Sequence, residues 1–290
     1  MSKNLKGALI LLLCAFIWGM AFTAQTTAMD HIGAYGFTCL RFAMASACLF
    51  ALCYLRREKP DKAMLRRHWP LGILLGVILL AAALLQQIGL KTTTTAKSGF
   101  VTALYIVIIP LIGLLRGQRH RAGLYIGVGM SLLGMVLLCL GEGFSLCIGD
   151  LLTLLCAFVF AFHIITVDEK GGSMDSVLLS AIQFAAAALI CLPLMLLFEG
   201  FPTGEALSGC MVAMLYAGIC SGAGGYTLQL IGQKYADPTV ASLLMCLEAV
   251  FSALGGWVLL GQVLSLRELL GCAIMLAASV VALLSTRNEA

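Results

Sequence analysis

Ten apolar stretches of helix-spanning length follow one another through the 290 residues, at about 5–25, 34–55, 70–90, 98–115, 122–140, 149–167, 176–198, 209–231, 239–260 and 267–285. A bilayer crossing needs about 20 mostly apolar residues, so ten crossings use about 200 and leave about 90 for nine loops and two tails. No sizeable water-facing domain fits into that remainder. Composition agrees: 11% of the residues are charged, against about 25% in a soluble domain. The expected fold is all-α and integral to the membrane, with ten transmembrane helices.

Lysine and arginine set the expected orientation. With both termini in the cytoplasm, the tails and even-numbered loops hold 14 of the 18 basic residues, among them Lys6, Arg56, Arg57, Arg66, Arg67, Arg116 and Lys234. The opposite side holds three, Lys91, Lys97 and Arg267, and Arg41 lies inside a span. Basic loops stay cytoplasmic. The chain therefore reads as a multi-pass protein of the cytoplasmic membrane with both termini inside.

The chain also repeats itself. Leu13-Cys14-Ala15-Phe16 recurs 142 residues on as Leu155-Cys156-Ala157-Phe158, and Arg41-Phe42-Ala43 aligns with Gln183-Phe184-Ala185 at the same offset. Gly76 and Gln87 match Gly218 and Gln229; toward the repeat ends the offset grows to 144, where Gly117-Gln118 meets Gly261-Gln262 and Gly127 meets Gly271. Two five-helix repeats are expected, residues 1–145 and 146–290. Because five is odd, the second copy enters from the opposite face, and the repeats are inverted. Inverted repeats build many secondary transporters, which hold substrate near the midplane between the halves.

Polar groups within the spans are the candidates for chemistry, since a charge at the centre of a membrane helix costs about 2.5–3.5 kcal/mol. Glu248 lies ten residues past Pro238, roughly 15 Å along a helix and so near the midplane. It reads either as a structural acid, protonated or paired with arginine, or as a substrate or proton site. Arg41 reads as a snorkelling or ion-paired side chain, or as a substrate contact. His163, among Phe158, Phe160 and Phe162, suits a bond to a backbone carbonyl or a proton relay. Gln87 and Gln229 occupy matching places in the repeats, with Tyr226 one turn before Gln229. Thr102 and Tyr105 share a face at i, i+3 spacing. These groups either orient a ligand or hydrogen-bond between helices, and Trp18 either lines a cavity or packs beside it. Gly222, Gly224 and Gly225 permit close approach or bending in the eighth span, and Thr92 to Thr95 form a turn that caps the fourth.

Other chemistries lack their residues. No G-x-x-x-x-G-K-[ST], H-E-x-x-H or G-x-S-x-G motif occurs, which argues against P-loop ATP hydrolysis and against those enzyme classes. No cofactor is implied, and no second ligand is spaced to make a metal site with His163. Of the 12 cysteines, Cys14, Cys48, Cys156, Cys191, Cys220, Cys246 and Cys272 lie in apolar runs without a C-x-x-C pair and read as small packing residues. The basic run Arg56–Arg67 reads as a positive-inside loop rather than a nucleic-acid site.

Several of these residues carry a resemblance. Trp18-Gly19, Leu40-Arg41-Phe42, the stretch from Thr95-Ala96-Lys97-Ser98-Gly99-Phe100 to Pro110, Leu247-Glu248-Ala249-Val250, Leu260-Gly261-Gln262 and Gly271 together resemble the drug/metabolite transporter superfamily, EamA type, over essentially the whole chain. The family often places proline after the ninth-span glutamate, where this chain has Ala249, and closes the span with Gly-Glu, here Gly261-Gln262. Those departures argue against a helix break at Glu248 and against a carboxylate role at position 262. The resemblance implies a ten-helix carrier, commonly an exporter of amino acids or related metabolites, with a central cavity.

The expected activity is alternating-access export of a small polar metabolite, an amino acid or a relative of one, by a monomer in the lipid bilayer. A proton or other ion gradient, or that of the substrate itself, would drive it. Candidate contacts are Trp18, Arg41, Gln87, Thr102, Tyr105, His163, Tyr226, Gln229 and Glu248. Two alternatives stand beside it: a membrane-embedded enzyme acting on a lipid-linked substrate, built around His163, and a passive channel.

Overall fold

The structure, a computed structural model, describes residues 3–55, 60–93, 95–118, 122–139, 147–260 and 265–286. Every regular element among them is helical. The first three spans are continuous: α1 Lys3–Met29, α2 Ala34–Leu55 and α3 Lys62–Gly89. The fourth is split into α4 Thr95–Thr102 and α5 Tyr105–Leu115, and α6 Ala122–Cys139 completes the first half. In the second half come α7 Ile148–Gly171 and α8 Ser176–Phe198, then a short surface helix, α9 Gly204–Gly209. The eighth span runs through α10 Met211–Leu215, a π-helical stretch Tyr216–Tyr226 and α11 Thr227–Gln233; the ninth is split into α12 Pro238–Met245 and α13 Glu248–Leu260, and α14 Leu266–Thr286 is the tenth. Nine of these spans among the described residues are long and apolar enough to cross a bilayer, and the fifth is shorter, Ala122–Leu137. The protein is a ten-helix membrane bundle of two five-helix repeats.

Helix ends are set by short polar side chains. Asp61 accepts from the Met64 N–H at 2.6 Å and Asp175 from the Leu178 N–H at 2.8 Å, while Asp237 accepts from the Thr239 N–H ahead of α12 with Pro238 in its first turn. Such caps satisfy N–H groups that have no partner within the helix. Outward faces are apolar, as at Leu55, Leu115, Leu197 and Val212; in a bilayer they meet lipid. Pro70, Pro110 and Pro193 sit inside helices, which membrane bundles tolerate because neighbouring groups re-satisfy the freed backbone.

The two halves interlock. The fifth span packs on the tenth and the second on the seventh; α3 packs on α7 and α8, and α1 on α13 and the π stretch. Each contact has a counterpart when the halves are exchanged. Two cross-ties mark opposite faces of the bundle. On the face bearing the chain ends, His68 donates from Nδ1 to the Met64 carbonyl at 2.7 Å and accepts the Asp175 N–H on Nε2 at 2.9 Å. On the distal face Glu199 accepts the N–H groups of Tyr35 and Gly36 at the start of α2, at 3.2 and 2.8 Å, with Lys91 Nζ 4.0 Å away.

One expectation is overturned. The ninth span is broken at Cys246 and Leu247, although Ala249 rather than proline follows Glu248. The break is made by backbone bonding: Leu247 N–H donates to Leu244 O and Ala249 N–H to Cys246 O, three residues back, before Phe251 resumes the four-residue step to Leu247. The fourth span breaks the same way, with Leu104 to Val101, Ile106 to Ala103 and Ile108 to Leu104. Each bond of the ninth span lies 143 residues after its partner in the fourth (247 after 104, 249 after 106, 251 after 108), so the break belongs to the repeat and needs no proline. Gly261 and Gln262, and Thr94 of the expected threonine turn, lie outside the described residues.

Candidate functional site

The two breaks meet. Tyr105 is the first residue of α5 and Glu248 the first of α13; the Tyr105 hydroxyl donates to Glu248 Oε1 at 3.3 Å. They are 143 residues apart, which makes the phenol the repeat counterpart of the acid. Glu248 is buried, 4% exposed, and as the first residue of α13 it stands at a helix N-terminus, which carries partial positive charge. Close approach makes this possible: a Cβ on Gly19 of α1 would come within 2.6 Å of the Glu248 carbonyl and 2.5 Å of Phe251 Cβ.

Around this pair lies a cavity lined by Trp18, Phe22, Gln25, Arg41, Gln86, Thr102, Tyr105, Phe160, Ser221, Tyr226, Gln229 and Glu248, with Ala21 and Ile164. It is narrow, about 40 Å³, which is room for roughly three waters rather than for a metabolite. Passage of anything larger requires the helices to part. Arg41 enters from α2, 7% exposed, its guanidinium over the rings of Phe37 and Phe42 at 5.1 and 4.9 Å. Those ring faces offer a cation–π cushion. No carboxylate of the described residues is ion-paired with Arg41, so the acid and the base face one cavity unjoined. Trp18 donates from Nε1 to the Ser221 carbonyl at 3.2 Å, and its ring lies 4.7 Å from that of Tyr226. Gln86 Nε2 donates to Thr102 Oγ1 at 3.1 Å. The Gln229 Oε1 is buried without a hydrogen-bond partner.

Seven of the nine expected residues thus line one space: Trp18, Arg41, Thr102, Tyr105, Tyr226, Gln229 and Glu248. Two do not. Gln87 is fully buried with both amide atoms unpaired, and its neighbour Gln86 takes the cavity position. His163 stands behind the wall, edge-on to Tyr226 with ring centres 6.2 Å apart. Its Nε2 pairs with Gln183 Oε1 at 3.1 Å, a side-chain amide in place of the expected backbone carbonyl. Gln25, Gln86 and Ser221 were not anticipated. Gln25 and Gln86 are amides within apolar runs and could have been found by the test that singled out Gln87. Ser221 was masked by the glycines around it.

Two interlocked halves with broken helices meeting at a buried polar cavity are the build of a membrane transporter. Comparison with known proteins names the kind. The EamA-like transporter family matches twice, over residues 5–140 and 147–284, and the chain belongs to that family. An uncharacterized transporter of Archaeoglobus fulgidus is 27% identical over 96% of this chain and 86% of its own length. The uncharacterized inner membrane transporter YicL of Salmonella typhimurium is 24% identical over 100% of this chain and 99% of its own. A crystal structure of a protein at 23% identity shares the fold, with a TM-score of 0.81 over 98% of this chain and 99% of that one.

Proposed function

We propose that this transporter is a secondary carrier that exports a small zwitterionic metabolite, an amino acid or a close relative, by alternating access at the cavity between residues 1–145 and 146–290. The observation that carries the reading is the unjoined pair: Glu248 from the second repeat and Arg41 from the first face one buried space without neutralising each other. A buried charge without a partner is costly, and a molecule carrying an ammonium and a carboxylate relieves both at once. Glu248, with the free Gln229 Oε1, meets the ammonium; Arg41 meets the carboxylate. Trp18, Thr102, Tyr105 and Tyr226 shape the space between them. The excess of basic residues on the side of the chain ends supports a cytoplasmic-membrane orientation with both termini inside. A proton or another ion, or the substrate's own gradient, supplies the drive, and one chain contains the whole pathway.

Metabolite profiling of the medium around cells expressing wild type or Glu248→Gln tests this. The expected result is one amino-acid-like compound accumulating outside the wild-type cells and staying at background with the variant. Identical media from the two, or depletion of the compound by wild type, overturns the export reading.

A further inference from the structure

The two repeats keep one spacing up to the eighth span and another after it. A Cβ on Gly76 of α3 would meet the Gln183 carbonyl and Ala186 Cβ of α8; a Cβ on Gly218 would meet the Arg41 carbonyl and Met44 Cβ of α2. These partners correspond at an offset of 142: 76 with 218, 41 with 183, 44 with 186. Beyond that point the offset is 143, as Tyr105 and Glu248 show, and Gln86 and Gln229, also 143 apart, both face the cavity. The eighth span therefore carries one residue more between Gly218 and Gln229 than α3 carries between Gly76 and Gln86. The π stretch Tyr216–Tyr226 lies across that interval. A π turn closes over five residues rather than four, so it absorbs the extra residue and leaves both ends in register.

What the stretch holds is Trp18. The indole N–H donates to the Ser221 carbonyl at 3.2 Å, and a Cβ on Gly225 would fall 2.4 Å from the indole nitrogen. The first repeat's version differs on both sides of this contact. The counterpart of Trp18, 142 residues on, is Phe160, which has no N–H, and its helix α7 packs on α3, which is α-helical throughout. In place of Gly225, α3 has Ala82 and Ala83 at offsets of 143 and 142. A donor meets an irregular backbone with an open seat, while the helix bearing the hydrocarbon ring packs on a regular one. We propose that the extra residue of the eighth span and Trp18 are a matched pair: the π stretch is a positioning element that offers the Ser221 carbonyl to the indole and fixes Trp18 against Tyr226 as one wall of the transport cavity. The wall's role in transport rests on the reading above; the pairing itself does not.

The test uses the full chain with Trp69→Phe and Trp257→Phe, so that Trp18 is its only tryptophan. Deletion of Gly224, whose Cβ would meet only the Ile219 carbonyl at 3.6 Å, shortens the stretch by its extra residue; Gly225→Ala blocks the seat without changing length. Both changes are expected to move the Trp18 emission maximum and raise its quenching by acrylamide. In thermal unfolding, done in the background that retains Trp69 and Trp257, Trp18→Phe and the Gly224 deletion each lower the Tm by a few degrees, because each leaves a buried backbone or indole group without its partner. Combined, they recover most of the loss, since the second repeat then matches the first; the coupling expected is about tenfold in the folding equilibrium. Additive losses, an unmoved emission, or a deletion that fails to fold both with and without Trp18→Phe overturn the pairing. Proteoliposomes loaded with an equimolar mixture of the twenty proteinogenic amino acids add the transport readout, in which Trp18→Phe and Gly225→Ala shift the release profile together. Release of none by wild type overturns the function proposed above and leaves the fluorescence and stability outcomes to decide the pairing.

Discussion

Spans four and nine treat the repeat differently from spans three and eight. The first pair breaks at the same place with the same backbone bonds, Ile106 to Ala103 echoed by Ala249 to Cys246. The second pair diverges: α3 is a continuous helix of 28 residues, while its partner contains an 11-residue π stretch. Backbone symmetry is kept where the halves touch at the centre, with α5 packed on α12 and α13 on α4 in matching fashion. It is given up one helix away, where Trp18 asks for an acceptor and Phe160 does not. An inverted repeat thus constrains the seam and leaves the lining free to specialise.

Substitutions can break or sharpen this contrast. The largest effect is expected at the symmetric seam. Gly19→Leu drives a side chain into the Glu248 backbone and should cost about 3 kcal/mol or more of stability, read as loss of monodisperse protein and a lowered Tm in detergent. Next comes a matched comparison in the divergent pair. A Cβ at Gly76 would sit 2.5 Å from a carbonyl oxygen, whereas at Gly218 the nearest atom is 3.0 Å away. Gly76→Ala should therefore cost about 2 kcal/mol and Gly218→Ala under about 1 kcal/mol; equal losses would mean that the π stretch gives its end of the helix no extra slack. Tyr105→Phe removes a donor to a buried carboxylate, worth on the order of 1.5 kcal/mol, and should slow transport by about tenfold while expression holds. Lys91→Ala is the smallest: it removes one half-exposed partner of Glu199 at 4.0 Å, and a shift below about 0.5 kcal/mol is expected. A larger loss would show that the distal cross-tie depends on Lys91 as well as on the α2 backbone.

Most of the bundle was legible because membrane helices announce themselves by length and apolarity, and the repeat by its constant offset. The break at Cys246 and Leu247 was not. Leucine and alanine favour a helix and cysteine tolerates one, so no local propensity marks the place, and the break follows from how the two repeats pack at their seam. That Gln86 rather than Gln87 lines the cavity was hidden for a related reason: an offset of 142 was carried through the eighth span, where the extra residue makes it 143. The growth of the offset to 144 at the repeat ends already required an insertion somewhere. His163 looked like a lining residue because a buried imidazole in an apolar run stands out, yet Gln183, another buried polar group, satisfies its Nε2.

The bond between Tyr105 and Glu248 also dates the chain's architecture in a relative sense. Had these halves been separate, identical subunits, a position on the two-fold axis would meet only its own copy, acid against acid or phenol against phenol. A hydroxyl donating to a carboxylate at that point requires the two copies to mutate independently. Duplication into two copies free to vary separately is therefore a precondition of this contact, and the unlike pair at the axis is its mark.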